Sequence, residues 1–431
     1  MSPLSKCLSL VVIPVALASP MQSIRSLLSF GESSESLIRG RDNSFVWASL
    51  GDSWAAGVSY DGDKTDYDGD KNGCHRWKDS YGPIMERNNE WTTGTQEFHF
   101  AACSGAILEN VAAKPQGANP AQMDLVGSPN MATYHAGGND CGFGEVVEKC
   151  IYQPGFRNWG PEYPDPEGEC GKSFNAKNAY IKDAGDFGLY QQEMDTIKDI
   201  LKHSAVKNND NFHLYIMGYA QFFNQGDNYC NDISFGALAP VYGPAPKLTN
   251  RLRTDLNSAV KGVNDVLARV AKDVNDARVK FIDVSPKFNG HRFCEDKHEG
   301  NDWDQWYSTD IWLWNLNFPR YDPPADPDLI QAWLNGSTAT NVTAGANVAV
   351  EAQGGAETDS GSGGSGGTWM QRPFHPKQGG TNAIADLVIA QAKADKVPGV
   401  VGLSAPTTGT CDCNENGCSP NSPACCANGS C

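Results

Sequence analysis

The sequence has no basic cluster: Lys and Arg total 34 against 51 Asp and Glu, a net charge of −17. Phosphate backbones are held by clustered Lys and Arg, so no nucleic-acid partner is expected. The same acidity disfavours adsorption to anionic membranes. No apolar run approaches the roughly 20 residues that cross a bilayer, so no transmembrane segment is expected. Zinc spacings such as His-Glu-x-x-His are absent, and no internal repeat is visible. Asp61-Gly62-Asp63 and Asp66-Tyr67-Asp68-Gly69-Asp70 look like calcium loops. A hand-type loop starting at Asp66 would need Gly at its sixth place and Glu at its twelfth, and has Lys71 and Trp77 there. The loop reads as solvated and acidic, and no metal site is expected.

What is present begins with an export signal. Lys6 supplies a positive start, 8–17 an apolar stretch, and Ala16-Leu17-Ala18 a small-residue cleavage site, so 1–18 reads as a signal peptide and the protein as secreted and extracellular. Of the 14 cysteines, only Cys7 leaves with that peptide. The rest then meet an oxidising compartment where disulfides persist. Asn335-Gly336-Ser337, Asn341-Val342-Thr343 and Asn428-Gly429-Ser430 are acceptor sequons for glycosylation at Asn335, Asn341 and Asn428.

A chain of 431 residues can hold one large α/β domain with insertions. Five short apolar runs, 45–50, 98–102, 131–136, 212–217 and 279–284, read as buried strands. Leu248, Leu252, Leu256, Val260, Val263, Leu267, Val270 and Val274 recur at spacings of three and four, one face of a long helix. Further helices are expected over 189–203 and 382–394. Strands alternating with helices predict a three-layer α/β/α sandwich around a central five-stranded parallel sheet, placed at 43–396. Within it, 336–367 is a Gly/Ser-rich insertion whose composition cannot bury a core. Residues 397–410 read as a linker to a Cys-rich module at 411–431, where Cys411, Cys413, Cys418, Cys425, Cys426 and Cys431 must supply the stability that apolar burial cannot.

Three loops carry the chemistry. Gly51-Asp52-Ser53 follows the first strand, Cys103-Ser104-Gly105 the second, and Gly137-Gly138-Asn139-Asp140 the third. Each alone is a turn or a helix cap. In an open parallel sheet, however, the loops after successive strands converge on one crevice. Ser53 then becomes a nucleophile. The Ser53 and Gly105 backbone N–H groups and the Asn139 amide become a three-donor oxyanion hole, each donor worth about 3–4 kcal/mol in the transition state. His375, in Arg372-Pro373-Phe374-His375-Pro376-Lys377 just before the last helix, is the natural base. Trp303, Trp306, Tyr307, Trp312 and Trp314 crowd one segment and fit either a substrate wall or core packing.

These ordered blocks resemble the SGNH (GDSL-like) hydrolases, secreted microbial esterases and lipases with a flavodoxin-like sheet. Gly51-Asp52-Ser53, Gly105, Gly138-Asn139-Asp140 and His375 stand where that family has its Ser, Gly, Asn and His. Cys74-His75-Arg76 leading to Tyr81, Gly218-Tyr219, and Gly290-His291-Arg292-Phe293-Cys294 are similar as well. The resemblance implies an acyl-enzyme on Ser53, no cofactor, and disulfides Cys74–Cys103, Cys150–Cys170 and Cys230–Cys294. Cys141 is left free, or else paired with Cys150 or Cys170. The family usually has an Asp three residues before its His, where Arg372 stands here, so a Ser53–His375 dyad is expected, with the Arg372 carbonyl orienting the imidazole; a distant carboxylate is the alternative. The tail resembles small modules of secreted fungal enzymes that bind polysaccharide. The expected substrates are lipid or small acyl esters. Polysaccharide O-deacetylation of cell-wall glycans is the second enzymatic reading, and non-catalytic glycan binding is the reading from another class.

Overall fold

The computed structural model describes residues 44–58, 66–69, 72–153, 158–226, 228–235, 246–296, 310–315 and 373–402. The signal peptide, the three sequons, the Gly/Ser-rich insertion, the Cys-rich tail, Trp303, Trp306, Tyr307 and Arg372 lie outside the described residues.

β1 (Phe45–Gly51), β2 (Gln96–Phe100), β3 (Met131–His135), β4 (His213–Met217) and β5 (Val279–Ile282) form one sheet. All pairings are parallel and the order is β2-β1-β3-β4-β5. β1 and β3 are buried along almost their whole length, which requires cover on both faces. That cover is helical. α2 (Tyr81–Arg87) packs against α8 (Gln378–Ala394), while α3 (Leu108–Ala112), α6 (Leu189–Lys202) and α7 (Asn250–Asp273) pack in sequence on one another. The chain is thus the expected α/β/α sandwich.

Thr249 begins α7 by accepting the Leu252 N–H at 3.2 Å, an N-cap. The buried positions Leu252, Leu256, Val260, Val263, Leu267 and Val270 then follow as one stripe. α5 (Glu169–Lys182) has no such stripe. Its Lys and Asn residues hide the period, and its place is set by a disulfide between Cys170 and Cys150 and by burial of Phe174 and Ile181. Cys150 sits in a π-type turn, Glu148–Tyr152, that continues α4 (Phe143–Val147).

The expected linker begins too early. Val397 and Val400 are buried, Val400 bridges to Thr92, and the Val401 N–H donates to the Trp91 carbonyl at 2.8 Å. The domain therefore keeps hold of the chain to about 401, because this segment pairs through its backbone with 91–93 and Gly399 lies against Phe45.

Candidate active site

Gly51 ends β1 at φ +132°, and a Cβ there would lie 2.1 Å from the His135 carbonyl oxygen. Only glycine fits this close approach of β1 to β3. The Gln122 side chain holds the same residue from both sides, accepting the Gly51 N–H at 2.7 Å and donating to its carbonyl at 2.9 Å. Asp52 follows and caps the short helix α1 (Ser53–Ala56), its Oδ1 accepting the Trp54 N–H at 2.9 Å. Ser53 is thereby fixed at the carboxyl edge of the sheet. Its own N–H has no hydrogen-bond partner among the described residues.

His375 reaches that serine from the other end of the chain, with Nε2 2.6 Å from the Ser53 Oγ. Both residues are buried. Nδ1 faces the Pro373 carbonyl at 3.1 Å. A carbonyl only accepts, so Nδ1 carries the proton and Nε2 presents its lone pair to the serine hydroxyl. Arg372, expected to orient the ring, lies outside the described residues; among those described the acceptor is Pro373, one residue nearer. The reason is local. Phe374 takes a left-handed backbone, φ +68°, and folds the preceding carbonyl back under the imidazole. The rings of Phe143, Phe222, Phe223 and Phe293 surround Phe374 at centroid distances of 5.0–5.9 Å, a packed cluster that holds the strained residue. Backbone pairing with 311–315 completes the mount: the Trp314 N–H donates to the His375 carbonyl at 2.9 Å and the Phe374 N–H to the Trp314 carbonyl at 2.7 Å. Trp314 is buried and Trp312 stacks on His291 at 3.6 Å, so these two tryptophans act as packing that supports the histidine.

The other two loops arrive beside this pair. Cys103–Cys74 is a disulfide, and the Ser104 N–H donates to the Cys74 carbonyl at 3.0 Å. Gly105 turns at φ +80°, and its N–H has no hydrogen-bond partner among the described residues. The Asn139 Nδ2 donates to the Ala106 carbonyl at 2.8 Å, and Asp140 accepts the Leu108 N–H at 3.2 Å through either oxygen, which ties the third loop to the second. With one Asn139 amide hydrogen spent on Ala106, the second remains for a ligand.

Burial dominates the electrostatics. It pushes the Asp52 carboxyl up to about 7, against the opposing pull of the Tyr219 hydroxyl and the Trp54 N–H. Asp140 rises to about 6 for the same reason, with the Leu108 N–H opposing. Glu193, fully buried against the Tyr134 hydroxyl at 2.7 Å, is pushed well above the carboxylate range. His135 is driven down to about 3, first by burial and then by His375, and stays neutral.

A cleft partly open to solvent runs from Ser53, Asn139 and His375 toward α4, α5 and α7. Beyond the catalytic end its walls are mostly apolar, with Phe143, Val146, Phe174, Ile181, Phe222 and the α7 face of Leu256, Ala259, Val260 and Val263, and Lys177 and Asn178 of α5 are the polar residues among them. Cys141 also lines it, as a free buried thiol pushed well above its ordinary range by burial. The remaining described cysteines pair as Cys74–Cys103, Cys150–Cys170 and Cys230–Cys294.

Three contributors have roles that the sequence did not indicate, although Asp52 and Tyr219 stand in stretches that resemble the family: Gln122, Asp52 as a buried acid, and Tyr219, whose hydroxyl donates to the Asp52 Oδ2 at 2.7 Å. Their partners are 71 and 167 residues away in the chain. In the acidic loop, Asp68 pairs with Arg76 at 2.8 Å. No group of three or more acidic, His or Cys side chains placed to hold a metal occurs among the described residues, and no described helix is long and apolar enough to cross a membrane.

No protein-family model matches the chain. It is 24% identical over 248 residues to Lipase 1 of Streptomyces coelicolor, spanning 58% of this chain and 72% of that protein. Among solved structures it is similar to an extracellular lipase from Streptomyces rimosus, with 23% identity and a TM-score of 0.44 over 63% of this chain and 88% of that one. It is also similar to phospholipase A1 from Streptomyces albidoflavus, with 18% identity and a TM-score of 0.45 over 80% of this chain and 98% of that one.

Proposed function

We propose that this chain is an extracellular carboxylic ester hydrolase that forms an acyl-enzyme on Ser53, with His375 as its base and the acyl chain of the substrate lying along the apolar cleft. The observation that carries the reading is the 2.6 Å approach of the His375 Nε2 to the Ser53 Oγ at the polar end of that cleft. The sequence similarity to a lipase supports the reaction class. Three disulfides among the described residues support an oxidising, extracellular setting.

The chemistry follows from the groups. His375 takes the Ser53 proton through Nε2 while its Nδ1–H stays on the Pro373 carbonyl, and Oγ attacks the ester carbonyl carbon. Negative charge gathers on the former carbonyl oxygen, where the Ser53 and Gly105 N–H groups, without a partner among the described residues, and the second Asn139 amide hydrogen are the available donors. The imidazolium protonates the departing alcohol. Water, deprotonated by the same His375, then releases the acid and restores Ser53. The Pro373 carbonyl, the Nδ1 acceptor among the described residues, can fix the tautomer and the ring orientation but offers less charge to the imidazolium than a carboxylate would.

Purified wild type and Ser53→Ala, assayed on p-nitrophenyl esters from acetate to palmitate, test the proposal. Wild type turns over the series and Ser53→Ala falls by about 10³-fold or more. Hydrolysis that persists at the wild-type rate in Ser53→Ala, or a wild type inert to every ester, sinks it.

A further inference from the structure

Tyr219 follows β4 at the carboxyl edge, outside all three loops that supply the candidate catalytic groups. Its hydroxyl donates to the Asp52 Oδ2 at 2.7 Å and accepts the Gly138 N–H at 3.0 Å. Asp52 caps the helix that starts with Ser53, and Gly138 immediately precedes Asn139. A single oxygen atom thus joins the nucleophile's loop to the loop carrying the amide donor. Gly138 is shaped to this joint, since a Cβ there would stand 3.2 Å from the Tyr219 hydroxyl oxygen and 3.3 Å from the Asp52 Oδ2.

The tyrosine is itself held from behind. Asn264, buried on α7, accepts the Tyr219 N–H through Oδ1 at 2.8 Å and donates Nδ2 to the Tyr219 carbonyl at 2.8 Å. The ring packs edge-on against Trp54 at 5.4 Å and beside His135 at 4.6 Å. The ring and the backbone of the residue are therefore both held, and the hydroxyl is fixed between its two partners. A donor that must sit within a few tenths of an ångström of a developing oxyanion needs such support.

We infer that Tyr219 is a positioning residue for this site: its hydroxyl sets the separation between Ser53 and the Asn139 amide by bridging Asp52 to the Gly138 N–H. The inference rests on the esterase reading for its consequence in turnover, but the bridge itself has a structural readout.

The test uses the full chain with Tyr219→Phe, Asn139→Ala and the double variant. Tyr219→Phe is expected to lower kcat on a p-nitrophenyl ester about 10- to 100-fold, with KM within about twofold of wild type, because a misplaced transition-state donor costs kcat rather than binding. In the Asn139→Ala background, where there is no amide left to position, the same substitution is expected to cost less than about threefold. Equal losses in both backgrounds, or a kcat unchanged by Tyr219→Phe, overturn the inference even though the esterase reading stands. Hydrogen-exchange mass spectrometry of residues 136–142 supplies the readout that needs no turnover: faster exchange, by about tenfold, in Tyr219→Phe supports the bridge, and unchanged exchange overturns it. If wild type hydrolyses no ester, the functional reading falls and the exchange result alone decides the role of Tyr219.

Discussion

Ala259→Trp separates the acyl cleft from the catalytic pair. Ala259 is half-buried in the middle of α7, on the same face as Leu256, Val260 and Val263, the spacing of one helix stripe. The stretch from Leu256 to Val263 advances about 10 Å at about 1.5 Å per residue. An extended chain gains about 1.2 Å per bond, so this wall matches about eight methylenes. A fully buried methylene contributes about 0.8 kcal/mol, close to fourfold in rate. Between acetyl and octanoyl esters the ceiling is about 5 kcal/mol, and with one side of the cleft open to solvent about 3 kcal/mol is expected, near two orders of magnitude in kcat/KM. An indole at 259 would occupy that space. Octanoate should then lose about 50-fold and acetate about threefold, so the chain-length profile flattens. The assay is initial rates across p-nitrophenyl acetate to palmitate, with melting curves to show that the variant folds. A wild-type profile that is already flat, or an equal loss on acetate and octanoate, refutes the assignment of the cleft to the acyl chain.

Three further outcomes follow from the same geometry. Burial raises the Asp52 carboxyl from the ordinary carboxylate range to about 7, so it binds its proton more tightly in the native state; its contribution to stability is present at low pH and is lost as pH rises through about 7. Asp140 acts in the same direction and His135, depressed to about 3, in the opposite one. The difference isolates Asp52: from pH 4 to 8, Asp52→Asn should gain about 4 kcal/mol relative to wild type in denaturant unfolding, and a gap independent of pH would count against the buried acid. Phe374→Ala removes the ring that the surrounding phenylalanines grip, and should cost about 3–5 kcal/mol of stability and most of the turnover; a variant as stable and active as wild type would show that the left-handed turn under His375 holds itself. Replacing both Cys74 and Cys103 by Ser opens a loop of sequence separation 29, for an expected loss of about 3.6 kcal/mol, together with a fall in kcat as Gly105 drifts; undiminished kcat in the folded variant would remove Gly105 from the oxyanion hole.

The order of elements was legible because β1, β3 and β4 are short apolar runs that are almost wholly buried, and such runs stand out without any partner; the edge strand β2 is only partly buried and starts two residues before the apolar run that marked it. α7 was legible for the same reason, since its stripe repeats over six turns' worth of chain. α5 was not: its buried positions are few, and what holds it is a disulfide and the neighbours it meets in space. The linker boundary erred similarly, because Val397 and Val400 are only two residues and the segment is held by pairing with 91–93, about 300 residues away in the chain.

The candidate site divides along the same line. Its loops were readable from composition, since a serine, a glycine and an asparagine each follow a strand and a parallel sheet brings strand ends to one edge. The sequence by itself therefore determined which loops meet. Tertiary structure alone decided how they are held: the Pro373 carbonyl behind His375, the grip of Gln122 on Gly51, the Tyr219 hydroxyl between Asp52 and Gly138, and the apolar cleft beside them. Each is a contact between residues set by the packing of separate elements. Hydrogen bonds at 2.7 Å and an acid raised to about 7 depend on distances and burial that no local pattern of residues encodes.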